Sequence, residues 1–285
     1  MEENTQAHKI IHITDLHCEA ATSQKLMTRA TRLINVEKPD IIICTGDFVM
    51  RDELSIMERN HRIAEEFIKS LNCKQFYQVP GNHDCYDSNR DSALDLYEKT
   101  WGEERFSANL EGLFIIGVNS NITNETVKKV HISAGTVRDE AVKFMEKEIL
   151  DADKNDFRIF GVHHHLIPMY NDTYGNAFNV DMLWNAGKIL RILRRNRFDL
   201  VLQGHKHDPE IFILDDTVYL VGGALLRKVP DHVENTFYSI EVGELVTIKL
   251  HLLQSERQKI IYCAPNKRYV PTSILPDDLN MGVVL

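Results

Sequence analysis

The chain has 285 residues, 43% of them hydrophobic and 26% charged, so it can bury a large core. A formal net charge of -9 argues against an extended phosphate-tracking surface for nucleic acid, and five cysteines at irregular spacing argue against a disulfide framework. No apolar run approaches the ~20 residues of a membrane span, and Met1-Glu2-Glu3-Asn4-Thr5-Gln6 lacks the pattern of a signal peptide, so a cytoplasmic location is expected.

The first predicted strand, Lys9-Ile10-Ile11-His12-Ile13-Thr14, ends in Asp15-Leu16-His17. Alternation along an extended segment sends Asp15 and His17 to the same side, the spacing of two ligands from one strand end. Gln24 to Val36 carries Leu26, Met27, Ala30, Leu33 and Ile34 at helical spacing, and Pro39 stops it. Asp40-Ile41-Ile42-Ile43-Cys44-Thr45 is a second buried strand, ending in Gly46-Asp47. Strand, helix, strand in this order predicts a parallel βαβ unit, with Asp15, His17 and Asp47 along one sheet edge. A helix over 54–71 then precedes Phe76-Tyr77-Gln78-Val79-Pro80, a third strand that delivers Gly81-Asn82-His83-Asp84. Open α/β sheets place ligand sites at such carboxyl ends.

Residues 90–101 read as helical, with strands over 106–110 and 113–118 about the Glu111-Gly112 turn and a polar loop over 119–135. A helix over 138–153 and a strand over 157–162 lead into His163-His164-His165-Leu166. Residues 170–179 read as a loop and 182–195 as a helix. The strand over 199–203 ends in Gly204-His205-Lys206-His207. Four more strands follow, over 211–214, 218–221, 237–242 and 245–250, with a hairpin at Gly243-Glu244. Pro265, Pro271 and Pro276 mark 254–285 as an irregular tail. With no repeat or linker, a single domain over 1–285 is expected, its core at about 9–253.

Five blocks of carboxylate, imidazole and amide therefore follow predicted strands. An Asn carbonyl oxygen ligates hard cations, an imidazole ligates metals or carries a proton, and a carboxylate has two anionic oxygens to share. In this order the blocks Asp15-x-His17, Gly46-Asp47, Gly81-Asn82-His83-Asp84, His163 and Gly204-His205-x-His207 resemble the signature of the calcineurin-like metallophosphoesterase superfamily, over roughly residues 9–225.

The resemblance implies an α/β fold: a four-layer αββα sandwich of two mixed β-sheets flanked by helices, with the later strands in the second sheet. It implies two divalent metal ions per chain, Mn2+, Fe2+/Fe3+ or Zn2+, for which nitrogen and oxygen donors are suited. Asp15, His17, Asp47 and His207 would hold the first, and Asp47, Asn82, His163 and His205 the second, with Asp47 bridging. Hydroxide bridging the metals would attack phosphorus, and His83, oriented by Asp84, would give a proton to the leaving group. One block departs from the usual pattern, in which Pro follows closely on the His: here it reads His163-His164-His165-Leu166. Its position directly after Val162 favours His163 as the ligand, and a slip of one residue would hand the role to His164.

His164, Tyr170 and Arg227 are candidate substrate contacts. The expected partner is a phosphate-ester substrate, with a nucleotide or another small diester in view. Family analogy favours a phosphodiester; the alternatives are a phosphoprotein phosphatase or other phosphomonoesterase, and a non-catalytic scaffold, which would be expected to have lost ligands. Cys18 and Cys85, beside two of the blocks, read as small buried filler.

Overall fold

The computed structural model describes residues 7–122, 135–168 and 182–268. The loop expected over 170–179 lies outside the described residues, as do most of the loop over 119–135 and the chain from 269.

The first third alternates as expected: β1 (His8–Ile13), α1 (Gln24–Val36), β2 (Ile41–Cys44), α2 (Leu54–Lys69) and β3 (Gln75–Gln78), with the three strands parallel. A short turn of helix, α3 (Asn82–Cys85), and α4 (Leu94–Trp101) lead to the second sheet. That sheet is built from β4 (Arg105–Leu110), β5 (Leu113–Val118), β6 (Phe157–Gly161), β7 (Leu200–His207), β8 (Glu210–Leu214) and β9 (Thr217–Gly223). The helices α5 (Asp139–Asp151) and α6 (Ala186–Arg195) precede β6 and β7. The chain closes with β10 (Thr236–Val242), β11 (Leu245–Leu252) and β12 (Arg257–Pro265). The two sheets run β12-β11-β10-β1-β2-β3 and β4-β5-β6-β7-β9-β8, and both mix parallel and antiparallel pairs.

The layering follows from strands that are apolar on both faces. Ile10, Ile41 and Ile43 join Ile115, Leu202 and Tyr238 in a core between the sheets. Their neighbours Ile11, Ile42 and Cys44 point the other way, to Met27, Ala30 and Ile34 of α1 and Ala64 and Phe67 of α2. On the far sheet Phe114, Ile116 and Phe160 meet Val142 and Met145 of α5 and Ile189 and Leu193 of α6. A strand without a polar face must be covered on both sides, and two such sheets give helix, sheet, sheet, helix.

Two expectations need correction. The later strands do not all enter the second sheet: β8 and β9 do, whereas β10 pairs antiparallel with β1 and carries β11 and β12 along the first. The free edge of β1 supplies that partner, with Ile10 opposite Ile240. The segment from 254 is also not wholly an irregular tail, because Arg257–Pro265 pairs with β11 from Leu252↔Arg257 to Leu245↔Pro265. Its polar first half lies on an exposed sheet edge, and Pro265 is its last residue, where an edge tolerates the missing N–H. Among the described residues no helix is long and apolar enough to cross a membrane.

Candidate metal centre

Asp15 and His17 do converge, but not by strand alternation. They follow β1 with φ of 52° and 47°, and Asp47, His205 and His207 share the left-handed region at 56°, 79° and 60°. Such backbone is uncommon and costly for residues other than glycine, and it gathers where a site over-determines it. Backbone bonds hold it in place: Asp15 N–H donates to Gly46 O and His17 N–H to Asp47 O, both at 2.9 Å. The strand ends approach closely because two glycines meet between them. A Cβ on Gly46 would lie 2.4 Å from Gly81 N, and one on Gly81 would lie 2.1 Å from Asp47 Oδ1.

Within this frame the side chains form two groups that share one carboxylate. His17 Nε2 lies 2.9 Å from His207 Nε2, 3.6 Å from Asp15 Oδ1 and 3.5 Å from Asp47 Oδ2. His207 Nε2 lies 3.1 Å from Asp15 Oδ1. One ligand atom from each of these four residues falls within 4.8 Å of the others. In the second group Asn82 Oδ1 lies 3.1 Å from His163 Nε2 and 3.0 Å from His205 Nδ1. Asp47 Oδ2 stands 3.4 Å from His163 Nε2. The Asp47 Oδ1 atom is taken by the His83 backbone N–H at 2.8 Å, so Oδ2 is the atom presented to both groups.

This arrangement fits a pair of divalent cations. Facing imidazole nitrogens cannot both donate a proton to each other, and Asp15 Oδ1, wholly buried, has no hydrogen-bond donor among the described residues. Buried lone pairs converging without donors are costly unless a cation sits among them. Nitrogen and oxygen donors without thiolate suit borderline and hard divalent ions.

The electrostatics agree. Burial alone would raise the Asp15 carboxyl, but His207 and His17 hold it well below the usual carboxylate range. Asp47 is likewise depressed, with His163 and His83 overcoming its burial. Burial would lower His163, yet the Asp47 carboxylate pushes it up to about 9, the mark of a site that attracts positive charge. His205 and His207 are lowered, chiefly by burial.

The relation expected between His83 and Asp84 is different in the structure. Asp84 does not touch the His83 ring; its Oδ1 accepts from Phe48 N–H at 2.9 Å and Val49 N–H at 3.3 Å, and its Oδ2 from Gly81 N–H at 2.8 Å. It ties the loop after β2 to the turn after β3. His83 is instead oriented by Arg51, whose backbone N–H donates to Nδ1 at 3.2 Å, leaving the proton on Nε2. Burial lowers His83 to about 3, and its ring meets that of His17 edge-on at 4.6 Å.

Of the three consecutive histidines, His163 turns its Nε2 to Asn82 and Asp47, while its Nδ1 donates to Thr45 O at 2.7 Å. His164 Nδ1 pairs with Ser120 Oγ at 2.8 Å, and its ring lies 4.6 Å from that of His205. His165 Nε2 donates to Gly204 O at 2.6 Å, steadying β7 just before His205. Arg227 reaches the centre, with Nη1 2.9 Å from His207 Nδ1. Tyr170 lies outside the described residues. Sequence reasoning missed the orienting partners Arg51 and Thr45, which act through backbone atoms and leave no signature in residue type. It also missed Thr14, whose hydroxyl donates to Asp15 Oδ2 at 2.8 Å. Cys18 and Cys85 are buried thiols, and Cys85 Sγ receives the Asn121 amide at 3.2 Å.

Comparison with known proteins places this geometry in a family. Solved structures with the same fold include the purple acid phosphatase PPD1 of yellow lupin (TM-score 0.70, 12% identity, 95% of this chain and 57% of that one). A dimetal phosphatase of Danio rerio also matches (TM-score 0.66, 12% identity, 89% of this chain and 98% of that one). Among curated proteins, a probable cyclic nucleotide phosphodiesterase of Xenorhabdus bovienii is 21% identical over 216 residues, 72% of this chain and 80% of that protein. The UDP-2,3-diacylglucosamine pyrophosphatase LpxG of Chlamydia trachomatis is 33% identical over 76 residues, 27% of this chain and 22% of that protein. The chain thus spans about a fifth of the Chlamydia protein and little more than half of the lupin one. The family model described as calcineurin-like phosphoesterase matches residues 8–209, a span that contains every motif residue from Asp15 to His207. The chain belongs to the calcineurin-like phosphoesterase family.

Proposed function

We propose that the chain hydrolyses a phosphodiester with a dinuclear metal centre. The observation that carries this reading is the position of Asp47 Oδ2, 3.5 Å from His17 Nε2 in one donor group and 3.4 Å from His163 Nε2 in the other. Asp15, His17, Asp47 and His207 hold one ion in this account, and Asp47, Asn82, His163 and His205 the other. Mn2+, Fe2+/Fe3+ and Zn2+ all suit these donors. Such a pair, when bound, supplies Lewis-acid polarisation of the phosphoryl group and a nucleophile at neutral pH.

The chain supplies the rest. His83 is held neutral by burial, with Nε2–H available because Nδ1 accepts from Arg51. The neutral ring can donate a hydrogen bond from Nε2–H to the departing oxygen. For full transfer the ring first takes a proton from solvent, which an anionic phosphoryl group beside it favours, and it returns to the neutral form on giving one up. Asp84 fixes the two turns from which Asp47 and His83 project, and so acts as a positioning residue. Arg227 stands beside His207 as a cation for the substrate, and His164 offers Nε2, which has no hydrogen-bond partner among the described residues.

A diester is supported over a monoester by the curated relatives, one named a phosphodiesterase and the other a pyrophosphatase. A scaffold without activity is disfavoured, since all the donor positions are filled. Five free cysteines support a reducing, cytoplasmic setting. The test is hydrolysis of bis(p-nitrophenyl) phosphate beside p-nitrophenyl phosphate, by metal-stripped protein with Mn2+, Zn2+ or Fe2+ restored. Metal-dependent cleavage of the diester supports the reading; turnover of the monoester alone replaces it with a phosphomonoesterase.

A further inference from the structure

Next to the metal centre lies a buried polar pair that the mechanism leaves unused. By strand alternation His12 of β1 shares the face of Ile10, which with Ile41, Ile43 and Tyr238 builds the core between the sheets. His12 is 1% exposed, and its Nε2 lies 2.9 Å from the hydroxyl of Thr45, itself wholly buried. The ring is held in place on both sides. It stacks on Tyr238 with 6° between the planes, and the Tyr238 hydroxyl donates to Val221 O at 2.9 Å. On the β9 side a Cβ on Gly222 would lie 2.4 Å from Thr14 Cγ2 and 3.2 Å from His12 Cε1.

Packing does not call for such a pair. A buried imidazole and hydroxyl cost free energy unless they are bonded, and replacing both partners by apolar groups of the same shape is often nearly neutral. His12 also has no hydrogen-bond partner for Nδ1 among the described residues. Burial lowers it to about 3, so the ring is neutral and its charge explains nothing.

Thr45 supplies the reason. Its N–H donates to Ile13 O at 3.1 Å, its hydroxyl meets His12, and its carbonyl accepts from His163 Nδ1 at 2.7 Å. That last bond crosses from the first sheet to the second and leaves His163 Nε2 to face Asn82 Oδ1 and Asp47 Oδ2. The next residue is Gly46 at φ 99°, which lets the intervening peptide rotate at little cost. For its direction the carbonyl depends on the Thr45 side chain, and that side chain on His12.

We propose that His12 is a positioning residue for the ion of the His163 group: through the Thr45 hydroxyl it keeps the Thr45 carbonyl on His163 Nδ1, and so keeps Nε2 turned to the metal. The inference rests on the dinuclear reading and does not depend on which ester is cleaved. A partner that fixes a metal-binding imidazole in this way is worth about 10- to 100-fold in metal affinity.

The experiment titrates Zn2+ into the metal-stripped full chain by calorimetry, with Asn82→Ala identifying the step that belongs to the His163 group. His12→Phe keeps a ring against Tyr238 and removes the bond to Thr45. It is expected to weaken that step at least tenfold and the other less than threefold. His12→Gln, whose amide can reach the hydroxyl, should stay within threefold of wild type. Thr45→Val should reproduce the loss of His12→Phe, and the double variant should lose no more than threefold beyond either, because both break one path. Equal weakening of both steps, an unchanged His163 step, losses that multiply, or a Gln variant as weak as the Phe one each overturn the proposal. If His12→Phe does not fold by circular dichroism, Thr45→Val and His12→Gln decide it on the same limits. A wild-type chain that binds a single ion sinks the dinuclear reading and this inference with it, whereas two ions bound equally well by wild type and variants sink the inference alone.

Discussion

His17 Nε2 and His207 Nε2 face each other at 2.9 Å across 190 residues of chain, each with the Asp15 carboxylate beside it. Two neutral rings cannot both donate into that gap. One ring can donate to the other, but Asp15 Oδ1 then still has no donor among the described residues, and a cation among the three groups satisfies them together.

Asp47 is the group both donor sets share. Asp47→Ala is expected to lower metal content below one ion per chain, measured by inductively coupled plasma mass spectrometry, and to lower kcat at least about 1,000-fold. A variant that keeps two ions removes Asp47 from the centre.

His83→Ala is expected to keep both ions and lose most turnover, with the loss increasing as the leaving group becomes more basic. A proton donor contributes roughly 100- to 10,000-fold. The check is kcat for a series of aryl phosphodiesters of rising phenol pKa. A loss independent of leaving group would show that His83 only contacts the phosphate.

Asp84 accepts three buried backbone N–H groups, those of Phe48, Val49 and Gly81. Asp84→Ala strands all three, and each stranded donor costs roughly 1–3 kcal/mol. Urea unfolding in the presence of EDTA is expected to show a loss of about 3 kcal/mol or more, whereas Asp84→Asn, which retains one acceptor oxygen, loses less. Equal stability of wild type and Asp84→Ala would contradict the role.

The metal-free centre is also expected to bind cations in a pH-dependent way. Asp47 raises His163 to about 9, so below that pH an ion must displace its proton. Apparent Zn2+ affinity, followed by competition with a chelator of known pH response, should therefore rise as pH rises from 7 toward 9 by about tenfold per unit. His61 gives a second pH effect of the same sign, on folding. It is buried beneath Trp101, whose indole N–H donates to it at 3.0 Å, and burial lowers it to about 4. A depressed imidazole contributes stability that is present above its unfolded value near 6.5 and lost as pH falls toward 4, by about 1.4 kcal/mol per unit. His61→Gln should flatten the acid slope of urea unfolding by that amount.

Much of this was legible in residue order. The β1-α1-β2-α2-β3 series follows from runs such as Ile41-Ile42-Ile43, which have no polar face, and from helical spacing in between. The donor positions could be placed because each block follows such a run. What sequence did not show is pairing across long separations: nothing in Thr236–Val242 announces that its partner is β1 and not β9. The strand at 257–265 was hidden by Lys, Gln and Arg, which belong to a solvated edge, and by the expectation that prolines break structure. β7 runs on through His207, with its irregularity between Gln203 and His207, where the turn chemistry of Gly204 had implied an end. The left-handed backbone at Asp15, His17 and Asp47 is equally silent, because it is imposed by Gly46, Gly81 and the neighbouring strand ends.

The central claim, that Asp47 joins two ions, is tested most directly by electron paramagnetic resonance of the Mn2+-loaded chain. Two Mn2+ ions about 3.5–4 Å apart and joined by one carboxylate should give an exchange-coupled spectrum at two equivalents of metal. Asp47→Asn should lose that coupling. A six-line spectrum of isolated Mn2+ in the wild-type chain at two bound equivalents would contradict the account.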